Sequence, residues 1–137
     1  MKIFVDTSSL FKKYRDEPGS EDFTKLMAEA SGVAVSPVTW IEFNAALERS
    51  LRINLVTSEK ASWLRSEAKK DFTYFSSVIW NENLESKTVE IIRRHPLKTM
   101  DAIQLASGVL SDSDMFVTSD SRLYQAAKKV IRHVQFI

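Results

Sequence analysis

Ile3-Phe4-Val5-Asp6-Thr7-Ser8-Ser9 sets three large apolar residues directly against an aspartate and a run of hydroxyls. With Lys2 in front, the triplet has the brevity and the Ile, Phe and Val content of a strand covered on both faces by helices. Similar short runs recur at 33–36, 75–79, 115–118 and 134–137. Longer segments with helical character alternate with them. These are 22–30; 37–53, with Ser36 as N-cap and Pro37 at the first helical position; about 57–71; 83–94, ending before Pro96; 99–110, capped by Thr99; and a last one from Asp120 or Ser121 to Lys129. Strand–helix alternation of this kind predicts an α/β fold around a central, mostly parallel sheet of four or five strands.

The 137 residues, 44% hydrophobic and 27% charged, suit a single domain spanning 1–137 with a sizeable core. Three scattered glycines and three prolines mark no linker or repeat. No apolar run reaches the roughly 20 residues of a membrane span, and Lys2 passes straight into the first strand without a signal-peptide pattern, so a cytoplasmic protein without membrane association is expected. Zero cysteines exclude disulfides, thiolate zinc sites and cysteine nucleophiles. His95 and His133 lie far apart beside arginines, as surface or capping residues do. A net charge of +1 argues against a broad cationic surface that grips nucleic acid, though not against a local patch.

Four acids stand alone among apolar or uncharged neighbours: Asp6, Glu42, Asp101 and Asp120. In an open parallel sheet, ligands bind beyond the carboxyl ends of the strands. Asp6 follows the first strand directly and Asp120 lies two residues after the fourth, and Asp101 and Glu42 fall near the starts of helices, so all four are expected at one sheet edge. Asp6 and Asp120 also suit helix N-caps, and Asp101 the positive end of a helix dipole. Glu42 resists such an explanation, being the only charged residue between Gly32 and Leu47.

Two carboxylates about 5 Å apart at an effective dielectric of roughly 20 repel by roughly 3 kcal/mol. A hard divalent cation, Mg²⁺ or Mn²⁺, relieves that repulsion with oxygen ligands, and it supplies the chemistry for hydrolysing a phosphodiester. Thr7 and Thr118 are placed to orient the carboxylates. Lys12, Lys13, Arg49 and Arg122, each near one of the acids in sequence, are candidates for holding flanking phosphates.

The stretches Ile3–Ser8, Ser36–Glu42, Leu97–Ala106 and Phe116–Leu123 together resemble the PIN-domain ribonucleases, in particular the VapC-type toxins of type II toxin–antitoxin systems. The resemblance covers essentially the whole chain. It implies a three-layer α/β/α sandwich and a Mg²⁺- or Mn²⁺-dependent endoribonuclease, with Asp6, Glu42, Asp101 and Asp120 matching the family's acidic quartet. Within the quartet, it implies that Asp6 and Asp101 are the main metal ligands and that Asp120 acts through water or a second metal. It further implies an RNA substrate, a homodimer and a cognate antitoxin. Two alternatives remain at this level: a PIN-like module that binds RNA or protein without cutting, and an RNA-processing nuclease that is not a toxin. A phosphatase with an aspartyl nucleophile is disfavoured, because the second Asp such enzymes carry two residues on is here Ser8.

Overall fold

The computed structural model describes residues 1–137. Along the chain run β1 (Lys2–Val5), α1 (Thr7–Leu10), a 3-10 turn (Phe11–Lys13), α2 (Ser20–Glu29), β2 (Gly32–Val35), α3 (Thr39–Arg52) and α4 (Ser58–Phe72). There follow β3 (Ser76–Ser77), α5 (Glu82–Arg94), α6 (Thr99–Leu110), β4 (Met115–Thr118), α7 (Ser121–Ala127) and β5 (Val134–Phe136). The five strands form one sheet in the order β3-β2-β1-β4-β5, and every neighbouring pair is parallel. The mostly parallel sheet expected from the sequence is therefore wholly parallel.

Residues of β1 alternate between the two faces, as the period of a strand requires. Ile3 and Val5 join Leu10, Phe23, Val35 and Val117 in a core under α1 and α2. Phe4 points the other way, into a core with Leu84, Ile91, Leu105, Phe116 and Leu123 from the α5, α6 and α7 side. A third cluster, of Phe11, Phe43, Leu47, Ala61, Leu64 and Ala68, fastens the α3–α4 pair onto the 3-10 turn. Helices thus cover both faces of the sheet. The chain moves outward from β1 to β2 and β3, then returns to the other side of β1 for β4 and β5. That reversal leaves a crevice between the carboxyl ends of β1 and β4, the usual place for a ligand in this architecture.

Several boundaries differ from the sequence expectation, each for a local reason. Instead of capping α3, the Ser36 hydroxyl accepts from Val38 N at 3.3 Å and also bonds Ser107 Oγ at 2.9 Å, tying the end of β2 to α6. Pro37 and Val38 form a turn, the helix starts at Thr39, and Glu42 falls in its first turn. Thr99 does not cap α6, because Lys98 occupies the N-cap position without a side-chain bond. The strand expected over 75–79 shrinks to Ser76–Ser77 at the sheet edge, where both residues are exposed. Where side chains can cap, they do: Thr57 accepts from Lys60 N and Asn81 from Leu84 N.

Gly108 sits inside α6 because the helix presses on aromatic rings. A Cβ there would lie 2.4 Å from the Phe116 ring, which stacks on Phe4 with centroids 5.2 Å apart. Gly108→Ala gains about 1 kcal/mol of helix propensity but overpacks the core at a cost of about 1–3 kcal/mol. Urea denaturation is expected to show a net loss, and a second change, Phe116→Leu, should make the alanine at position 108 less costly than it is alone.

Candidate functional site

Beyond the carboxyl ends of β1 and β4 opens a cavity of about 420 Å³ whose lining includes Asp6, Glu42, Asp101 and Asp120. Each acid reaches it for a local reason. Asp6 follows β1 without a gap, Asp120 follows β4 and caps α7, and Asp101 lies in the first turn of α6. On α3, Glu42, Ala46 and Arg49 line the cavity at successive helical turns.

The four carboxylates are held to very different degrees. Asp6 is 2% exposed. Its Oδ1 accepts from Ser9 N at 2.9 Å, and its Oδ2 accepts from Thr118 Oγ1 at 2.6 Å. Ser8 Oγ lies 2.9 and 2.8 Å from the two oxygens, yet a hydroxyl has one hydrogen to give. The Ser9 hydroxyl is likewise divided between Asp6 Oδ1, Asp6 O and Val117 O. Lone pairs on Asp6 therefore remain for a cation. Burial pushes the Asp6 carboxyl above its ordinary range, and the bonds from Thr118, Ser9 and Ser8 offset that only in part.

Glu42 Oε1 accepts from Thr7 Oγ1 at 3.0 Å and from Gln104 Nε2 at 2.6 Å, while its Oε2 has no protein donor. Asp120 uses Oδ1 to cap Leu123 N at 2.8 Å. Asp101 has neither a hydrogen-bond donor nor an ion-pair partner. Desolvation and the charges of Asp120, Glu42 and Asp6 push its pKa up to about 6, against a smaller opposing pull from Lys98. An unpartnered carboxylate facing three others is the repulsive arrangement that a cation relieves.

In this conformation no three acidic or histidine side chains stand close enough together to ligate one ion. Closure onto a metal would fall to the least constrained groups, Asp101 first and then Asp120. The donors are all oxygen, the choice of Mg²⁺ and Mn²⁺. Chemically the residues fit such an ion.

Of the residues expected to orient the acids, Thr118 holds Asp6 and Thr7 holds Glu42. The basic residues divide. Arg49 lines the cavity and has no carboxylate partner. Lys12 also lines it, but its ammonium is committed to Glu17 at 3.3 Å and Pro18 O at 2.7 Å. Lys13 lies outside the acid cavity and pairs with Asp71 at 2.7 Å. Arg122 lines a separate cleft with His95, Pro96 and Lys129. Arg15, which follows Asp6 closely in sequence, and Glu17 also enter the lining.

Gln104 is the main contributor that sequence reasoning missed. Its Nε2 also lies 3.0 Å from Thr7 Oγ1 and 3.2 Å from Thr39 Oγ1, while its Oε1 is buried without a partner. The available signal was its spacing of three residues from Asp101, which places both on one face of α6.

The sequence model of the PIN domain matches residues 3–129. The chain belongs to the PIN domain family. Among solved structures, this PIN domain is similar to VapBC2 from Rickettsia felis bound to a promoter DNA fragment, at 10% identity and TM-score 0.72, covering 100% of this chain and 99% of that one. It is also similar to FitAcB from Neisseria gonorrhoeae, at 16% identity and TM-score 0.72, covering 98% and 96%. A third is the Mycobacterium tuberculosis VapC20, a sarcin–ricin loop cleaving toxin, at 20% identity and TM-score 0.70, covering 90% and 94%. At these identities the likeness is one of fold. No curated protein sequence matches significantly.

Two measurements probe the electrostatics. Because the folded Asp101 pKa is raised, its favourable contribution is complete below about pH 4, where the unfolded carboxylate titrates, and is lost as pH rises through about 6. In chelator, the stability of Asp101→Asn relative to wild type should therefore grow across that window, and the variant should be the more stable at pH 7. Gln104→Leu removes a charge-assisted donor from Glu42 while relieving the orphaned Oε1, and is expected to cost about 1–2 kcal/mol in urea denaturation.

Proposed function

We propose that this PIN domain is a metal-dependent endoribonuclease that hydrolyses RNA phosphodiester bonds, and that it serves as the toxin of a toxin–antitoxin pair. The observation that carries the proposal is the Asp101 carboxylate, unpartnered and facing Asp6, Glu42 and Asp120 at the topological switch point of the sheet. Asp6, Glu42, Asp101 and Asp120 would hold Mg²⁺ or Mn²⁺. Such an ion, when bound, neutralises charge on a phosphate and lowers the pKa of a coordinated water.

The chain's own groups supply the rest. Thr118 and Ser9 fix Asp6, and Thr7 and Gln104 fix Glu42. The oxygens left without protein donors, on Asp101 and at Glu42 Oε2, are available to take the proton from an attacking water. That water attacks phosphorus in line, the bond to the 3′ oxygen breaks, the leaving oxygen takes a proton from solvent, and the ends are a 5′-phosphate and a 3′-hydroxyl. Arg49, at the rim and without a carboxylate partner, is suited to a flanking phosphate.

Support for the toxin role comes from the neighbours, which include toxin–antitoxin assemblies and a toxin that cleaves the sarcin–ricin loop. The same proposal covers a cognate antitoxin, a homodimer, a single domain over 1–137 and a cytoplasmic setting. No helix is long and apolar enough to cross a membrane.

Purified protein should cut RNA with Mg²⁺ or Mn²⁺ and stop with chelator, and Asp6→Asn and Asp101→Asn should each lower the rate about 100-fold or more. The new 5′ ends should ligate directly to an adapter; 2′,3′-cyclic phosphate ends would overturn the mechanism. Induced expression should arrest growth with wild type and not with Asp101→Asn.

A further inference from the structure

A second groove, of about 680 Å³, runs between α2 and α4 and adjoins the acid cavity, the two sharing Lys12 and Arg15 in their walls. Five cations line it, Lys12, Lys13, Arg15, Lys25 and Lys60, against two acids, Asp16 and Glu21. Lys12 is nearly buried and fixed by Glu17 and Pro18, so it shapes the junction. The pairs made by Lys13, Arg15 and Lys25 are partly or mostly exposed, and such pairs are weak enough to be exchanged for a phosphate. Lys60 has no carboxylate partner. Its ammonium lies over the Trp63 ring, 4.4 Å from the centroid.

Trp63 is 54% exposed, an unusual state for so large an apolar side chain. Packing does not account for it, because Ala61, Leu64 and Ala68 carry the buried face of α4. Those contacts fix α4 against the core, and Trp63 lines the groove from it. An exposed indole with a cation on one face and further cations nearby is the recurring design of a single-strand platform, in which bases stack on rings and phosphates meet Lys and Arg. Duplex bases, already stacked, could not use it. An acidic peptide would use the cations but leave the ring without a π-face to meet.

Building on the endoribonuclease proposal above, we infer that the groove between α2 and α4 is a binding track for single-stranded RNA, with Trp63 stacking on a base beside the scissile phosphate's cavity and Lys13, Arg15 and Lys60 meeting the flanking backbone.

Binding is read separately from cutting by titrating fluorescent single-stranded RNA oligonucleotides into Asp101→Asn protein with Mg²⁺, checking that the RNA stays intact. Adding Trp63→Ala should weaken binding about tenfold, and Trp63→Phe should retain most of the affinity. Trp80→Ala, which removes an equally exposed indole outside both cavities, should change nothing. An oligonucleotide with one abasic position at the stacking site should bind weakly to both forms and erase the Trp63→Ala effect. Equal affinity with and without Trp63, or quenching of Trp63 fluorescence by polyglutamate and not by RNA, would overturn the inference. RNA binding that depends on Trp63 without cleavage by wild type would retire the nuclease proposal and leave the groove standing; cleavage without Trp63 dependence would do the reverse.

Discussion

Burial of one carboxylate at the end of the central strand is the constraint around which this site is built. Asp6 is held at the junction of β1 and α1, with its oxygens turned toward donors from Ser8, Ser9 and Thr118. Each donor comes with its own structural task. Ser9 N opens α1, the Thr118 hydroxyl also accepts from Asp120 N at 3.0 Å, and Ser8 Oγ accepts from Ser119 N at 3.0 Å. Anchoring Asp6 therefore draws the ends of β1 and β4 together, and Asp120 arrives at the cavity through the same bonds. Hydroxyls and amides stabilise the buried charge without cancelling it, so its field still acts on Asp101.

Capping and site formation are not competing accounts of these acids. Asp6 caps α1 and Asp120 caps α7, as aspartates after strands commonly do. A cap uses one oxygen and one helix N–H. It does not explain why the α3 and α6 residues facing the same cavity are Glu42 and Asp101, nor why Asp101 is left with no donor. The extra cost of that arrangement is what a functional role has to justify. Constraint also falls off across the set, from Asp6 through Glu42 and Asp120 to Asp101, which ranks their freedom to reorganise around a ligand. Asp6 and Asp101, which the resemblance implies are the main metal ligands, differ most in their protein donors: Asp6 accepts from Ser8, Ser9 and Thr118, and Asp101 from none.

Much of the architecture was legible because strands and helices announce themselves through local pattern. β1 and β4 match their expected bounds, and Asp120 begins the last helix as its position after a strand suggests. What failed was local chemistry overridden by distant partners. Ser36-Pro37 has a strong N-cap signature, yet the Ser36 hydroxyl meets Ser107 across the fold and the helix starts later. Gly108 is a packing requirement set by Phe116, which meets α6 only in the folded chain. The partly exposed pair of Lys13 with Asp71, 58 residues away in sequence, is likewise invisible to local pattern. Gln104 passed for an ordinary helix residue because its acceptors, Thr7, Thr39 and Glu42, lie 62 to 97 positions from it.

By itself the sequence determined the α/β class, the parallel sheet and the four acids, since hydrophobic periodicity and an isolated charge in apolar surroundings are properties of neighbouring residues. Tertiary structure alone decided which strand ends meet, how each carboxylate is held, which cations are free, and that the acid cavity and the groove lined by Trp63 share Lys12 and Arg15. Those outcomes depend on hydrogen bonds and fields acting over a few ångströms between residues far apart in the chain, and no local pattern encodes such distances.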